Sequence, residues 1–122
     1  MAKVYIENVR DLVEKAGEIR EKLALATRRI GNVHIGGPMS ATDVTTAIYY
    51  KYMGFDPENL DDPNRDRFIL SKGHAAPMLY LNLAEAGLFP KEELQTLRQL
   101  NSRLQGYPCL HKTPGVELST GP

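Results

Sequence analysis

From Val9 to Ile30 apolar residues return at intervals of three and four, through Leu12, Val13, Ala16, Ile19, Leu23 and Ala26, while the charges fall between them. That period wraps the apolar side chains onto one stripe of an α-helix and demands a core for the stripe to cover. Asn8 is placed to cap the first turn, with Asp11 three residues on, and Arg28 and Arg29 suit the negative end of the helix dipole. Gly31 and Asn32 form the stop. Gly17 weakens the interior by about 1 kcal/mol relative to alanine.

Downstream, punctuation replaces periodicity. HIGGPMS (34–40) reads as a glycine-rich loop, with Ser40 as the N-cap and Asp43 at the capping-box distance of a second helix that runs to about Tyr52. Tyr49, Tyr50 and Tyr52 on it read as packing residues. Residues 54–66 carry two prolines and five carboxylates without an apolar period, the pattern of a solvated surface loop. RFIL (67–70), SKGHAAP (71–77) and MLYLNLAEAG (78–87) read as strand, turn and helix, because Pro77 is tolerated only in a first helical turn. Gly87 closes that helix, and Pro90 opens another over PKEELQTLRQL with Glu92 and Glu93 in its first turn. The last 22 residues, with three prolines and three glycines, show neither a helical nor a long strand pattern.

At 122 residues the chain is long enough for one small domain, and at 42% hydrophobic and 25% charged residues it is expected to be soluble and folded. Fifteen basic residues balance fifteen acidic ones, which removes the electrostatic footprint of non-specific nucleic-acid or anionic-membrane binding. No nucleic acid and no membrane is expected as a partner. Cys109 is the only cysteine, so the chain forms neither an internal disulfide nor a multi-cysteine zinc site. With no apolar run of spanning length and with Glu7 and Asp11 in the N-terminal stretch, the expected location is the cytoplasm.

His34 and His74 share one setting, a glycine- and proline-rich turn at or just before a helix N-terminus. Free amides and the positive end of the dipole meet there, which favours a phosphate or carboxylate and a neutral imidazole. Each could equally be a turn residue bonded to local backbone. His111 keeps that plainer reading, and Cys109 reads as an inert thiol. From the residues themselves the chain is an α/β-type segment with a possible anion site at His34 and His74.

HIGGPMSATDVTTAIYY (34–50), DPNRDRFILSKGHAAPMLY (62–80), LQGYP (104–108) and PGVELSTGP (114–122), in this order and with Arg20 upstream, resemble the N-terminal part of transketolase. The likeness is greatest to the split type in which this region is a separate subunit. It implies residues 1–122 as a partial cofactor-binding domain: the mostly helical N-terminal portion of a thiamin-diphosphate-binding α/β fold with an incomplete parallel sheet. It implies transfer of two-carbon ketol units between sugar phosphates, with thiamin diphosphate and Mg²⁺ as cofactors. It also implies an oligomer, and as partner a complementary C-terminal transketolase subunit. By the same resemblance His34 faces the substrate, His74 contacts the cofactor, and Gly121 and Pro122 begin a cofactor-lining turn.

Two departures qualify what the likeness implies. The family's Gly-Asp-Gly motif and asparagine for the diphosphate and metal have no counterpart before Pro122, so no metal ligand is assigned. The glutamate that activates the cofactor belongs to the family's next domain. The chain is therefore expected to be truncated, to supply one wall of the site and to be inactive by itself, or else to be a non-catalytic remnant or interaction module. Second, Tyr107 stands in LQGYP where the family usually has a substrate-facing histidine, and a phenol near pKa 10 donates a hydrogen bond without serving as a neutral-pH base.

Overall fold

The computed structural model describes residues 5–31 and 35–121. Helix α1 spans Val9–Ile30, bounded as its sequence dictates: the Asn8 side chain accepts a bond from the Arg10 amide at 2.7 Å. At the other end Gly31 turns left-handed at φ +74° and its N–H closes on the Thr27 carbonyl at 2.8 Å. Ala16, Ile19 and Leu23 form the buried stripe. Full burial of Ile19 and Leu23 contributes about 2 kcal/mol each.

Helix α2 spans Gly36–Ala47 and runs into a wide π turn, Ile48–Tyr52, closed by the Met53 amide on the Ile48 carbonyl at 2.7 Å. It starts earlier than Ser40. Pro38 sits inside its first turn, where a missing N–H costs no helical bond, so the Gly-Gly-Pro segment joins the helix. Ser40 does not cap it: the hydroxyl donates to the Gly37 carbonyl at 3.0 Å, and Asp43 pairs with Arg20 of α1 at 2.7 Å. Tyr49 and Tyr50 pack inside, whereas Tyr52 is exposed.

A 3₁₀ turn, Gly73–Ala75, leads into helix α3, Ala76–Glu85, with Pro77 in its first turn. Every residue of α3 from Ala76 to Ala84 is buried. A helix apolar on all sides must be enclosed, and α1 and α2 pack together and against α3 while residues 91–96 close over it. At its end the Glu85 side chain, 5% exposed, is held by Lys22, by Lys15 at 3.1 Å and by Lys91 at 3.3 Å.

The sheet does not appear: the described residues contain helices and turns and no strand. RFIL forms no ladder, and Phe68 is instead seated edge-on to Tyr49 at 5.5 Å between ring centroids. Nor does PKEELQTLRQL make an α-helix. It forms a 3₁₀ run, Lys91–Thr96, after which Arg98 turns to φ +64° and gives its N–H to the Leu104 carbonyl at 2.8 Å. That long-range bond takes the donor an α-helix would have used. In the 54–66 loop most charges are exposed, while Arg65 turns inward onto Glu117.

Candidate functional site

His74 stands in the middle of the 3₁₀ turn before α3, half-buried, with the Ala75 amide returning to the Lys72 carbonyl at 3.0 Å. Pro77 forces the helix to begin just beyond it, which leaves the imidazole at the positive end of α3. Tyr107 reaches the same place from the irregular C-terminal run. The Arg98 bond to Leu104, the Ser102 hydroxyl accepting the Leu104 amide at 3.0 Å, and the buried Tyr80 hydroxyl donating to the Gln105 carbonyl at 2.6 Å fold residues 98–107 back over α3. The Tyr107 hydroxyl lies 3.4 Å from His74 Nε2, with the rings nearly perpendicular and their centroids 5.3 Å apart. That distance exceeds a well-formed hydrogen bond, so the contact opens at little cost when a ligand offers a better partner.

Gly121 completes the cluster. Its carbonyl accepts the Gly73 amide at 3.0 Å, and a Cβ on Gly73 would stand 2.8 Å from that oxygen and 3.0 Å from the Gly121 nitrogen. Only glycine fits this backbone crossing. The Thr120 amide on the Pro108 carbonyl at 3.2 Å and the Ser119 hydroxyl under the Leu110 amide at 2.8 Å hold the run beside the Tyr107 loop. Three of the five residues assigned by resemblance, His74, Tyr107 and Gly121, therefore converge; His34 and Pro122 lie outside the described residues.

Sequence reasoning passed over two further residues here. Lys72, two positions before His74, gives its ammonium to Ser40 of α2 at 2.9 Å, and the pair edges an open groove of about 700 Å³ between α2 and residues 68–72. Tyr80 reads as one more apolar residue of a helical run, yet its hydroxyl also lies 3.3 Å from the Tyr107 carbonyl. Burial raises the Tyr80 phenol above its ordinary range, so the hydroxyl stays protonated and a donor. No long-range pairing of this kind is written in residue spacing.

The cluster offers an imidazole, a phenol and glycine backbone, a donor and acceptor set that fits the organic part of a polar cofactor. Among the described residues no group of three or more His, Cys, Asp or Glu is placed to hold a metal ion. No helix among them is long and apolar enough to cross a membrane.

Residues 14–122 match the family described as transketolase, thiamine diphosphate binding domain. The chain is 42% identical over 112 residues to one of the subunits of apulose-4-phosphate transketolase from Actinobacillus succinogenes, covering 91% of this chain and 41% of that one. It is 39% identical over 111 residues to the 6-deoxy-6-sulfo-D-fructose transketolase subunit SqwG of a Clostridium species, with coverage of 91% and 40%. Among solved structures, transketolase from Leishmania mexicana superposes with a TM-score of 0.85 at 30% identity, over 97% of this chain and 17% of that one. The chain thus spans about two-fifths of the subunit-type relatives and 17% of the solved Leishmania chain.

Proposed function

The chain belongs to the transketolase family, matching its thiamine diphosphate binding domain over residues 14–122, and from that premise we propose that it is a partial cofactor-binding domain that supplies one wall of a ketol-transfer site. The observation that carries the reading is the convergence of His74, Tyr107 and Gly121 from three separate stretches of chain. In this reading His74 donates or accepts at the cofactor, and Gly121 with Pro122 begins the turn that lines it. Tyr107 and His34 face a sugar phosphate. When bound, thiamine diphosphate supplies the carbanion chemistry for breaking and making the carbon–carbon bond.

The chain's own contribution is to bind and orient. The imidazole of His74, at a helix N-terminus, presents a nitrogen to a polar ligand edge, and the Tyr107 hydroxyl donates to a substrate oxygen once the His74 contact opens. In this reading the remainder of the cofactor-binding domain supplies the magnesium site, and a complementary transketolase subunit in the cytoplasm supplies the activating glutamate and the second wall. Exposed Val9, Val13, Leu25, Val44 and Ile69 favour such an assembly.

Calorimetry tests this reading. Thiamine diphosphate with Mg²⁺ titrated into the chain by itself is expected to give no tight, magnesium-dependent binding and no ketol transfer. Saturable binding is expected once the chain is extended through the rest of the cofactor-binding domain and paired with the complementary subunit, weakened tenfold or more by His74→Ala. Tight magnesium-dependent binding to the chain by itself would overturn the one-wall assignment, and an assembled enzyme indifferent to His74→Ala would overturn the cofactor contact.

A further inference from the structure

We infer that Tyr80 is a positioning residue: its buried hydroxyl, from within α3, sets where Tyr107 stands relative to His74. The inference rests on the reading of His74 and Tyr107 as ligand-facing. Tyr80 and His74 belong to one rigid unit, because the 3₁₀ turn feeds directly into α3 and Tyr80 follows a turn and a half later. Tyr107 belongs to an irregular run with no ladder or helix to fix it. Its position must therefore be set by individual bonds.

Two of these bonds meet at Tyr80. The ring is fully buried, so the hydroxyl cannot exchange its partner for water. It donates to the Gln105 carbonyl at 2.6 Å and stands 3.3 Å from the Tyr107 carbonyl, one residue either side of Gly106. One hydroxyl thus grips the loop at both ends of its most flexible link. The Thr113 hydroxyl, bonded to the Arg103 carbonyl at 2.6 Å and within reach of the phenol, backs the same spot from the outer side. With the Tyr107 backbone held at the phenol, its ring stands over the helix start, edge-on to His74.

A buried tyrosine at this place could also serve packing and nothing else, and the two roles separate experimentally. Proton NMR of the full chain reads the His74 ring resonances and the nuclear Overhauser contact between the His74 and Tyr107 rings. Tyr107→Leu defines the signal when the second ring is gone. Tyr80→Phe, which keeps the ring and deletes the hydroxyl, is expected to move the His74 resonances at least half of the way to the Tyr107→Leu values and to weaken the ring contact by half or more. In the double variant no further shift is expected beyond Tyr107→Leu.

A lowered melting temperature with His74 resonances and ring contact unchanged would overturn the inference. If Tyr80→Phe gives no folded spectrum, Thr113→Val decides by the same comparison: a shift in the same direction supports the positioning role, and an unchanged spectrum overturns it. None of these readouts requires a cofactor, so failure here is distinguishable from failure of thiamine diphosphate to bind.

Discussion

Arg65 and Glu117, 52 residues apart, meet in a two-pronged ion pair, with guanidinium nitrogens 2.5 and 2.9 Å from the two carboxylate oxygens and both side chains about nine-tenths buried. The pair ties the acidic loop to the C-terminal run three residues before the chain reaches Thr120 and the Gly73–Gly121 crossing. Its role is therefore to deliver the backbone of the candidate site as well as to stabilise the fold.

Removing one partner leaves the other charge buried with a poor substitute, since Arg67 approaches Glu117 only to 3.7 Å. Two charge-assisted bonds in this setting are together worth about 2–3 kcal/mol. Arg65→Ala is expected to lower unfolding stability by that amount in denaturant titration, and to speed hydrogen exchange of the Gly73 amide, whose acceptor is Gly121. Unchanged exchange at Gly73 would mean that the crossing holds without the ion pair.

Glu85 provides a pH signature. Burial by itself would raise its carboxyl, but hydrogen bonds from Lys22 and Lys15, with their charges, outweigh it and bring the group from its ordinary 4.5 to about 2. A carboxylate depressed on folding contributes stability above its unfolded pKa and loses it as pH falls toward the folded one. Wild type and Glu85→Gln should therefore differ by about 2 kcal/mol at neutral pH, a figure reduced for the partial exposure of the lysines. The two stability curves should converge between pH 4.5 and about 2; curves that stay parallel through that window would assign the stabilisation elsewhere.

The glycine crossing gives a steric prediction. In Gly73→Ala the new methyl meets backbone, not a yielding side-chain end, so either the 3₁₀ turn or residue 121 must move. A cost of about 1–3 kcal/mol follows from overpacking. On the proposed function the variant also loses thiamine diphosphate affinity in the assembled enzyme, whereas Gly17→Ala, with nothing within 4 Å of the added carbon, should leave affinity unchanged and slightly raise stability. Equal losses from the two substitutions would remove the special status of residue 73.

What could be read from the sequence follows the range of the forces involved. The bounds of α1 were legible because Asn8, Asp11 and Gly31 act within one turn of the ends they define. Pro77 likewise fixed the start of α3. The 3₁₀ run over residues 91–96 was not legible, because the Arg98 amide that ends it goes to Leu104 and no local pattern announces that choice. RFIL has strand composition but finds no pairing partner among the described residues, and composition says nothing about partners. At the site, family resemblance singled out His74, Tyr107 and Gly121, while Tyr80 and Lys72, which connect them to the helices, act through contacts of 27 and 32 residues' separation.

On the proposed function, Tyr107 stands where the resemblance implies a substrate-facing histidine. It is 42% exposed and held edge-on to His74, so its hydroxyl is available to donate to a substrate oxygen. An imidazole there would offer a ring nitrogen that can both donate and accept, in less volume. In the assembled enzyme Tyr107→His is therefore expected to raise kcat/KM for a phosphorylated ketose, and a tenfold gain would correspond to about 1.4 kcal/mol of transition-state stabilisation. Tyr107→Phe, which removes the donor and keeps the ring, should lower it. If both variants lose activity alike, the phenol is adapted to its own substrate, and its departure from the family residue marks altered specificity, not weakened transition-state contact.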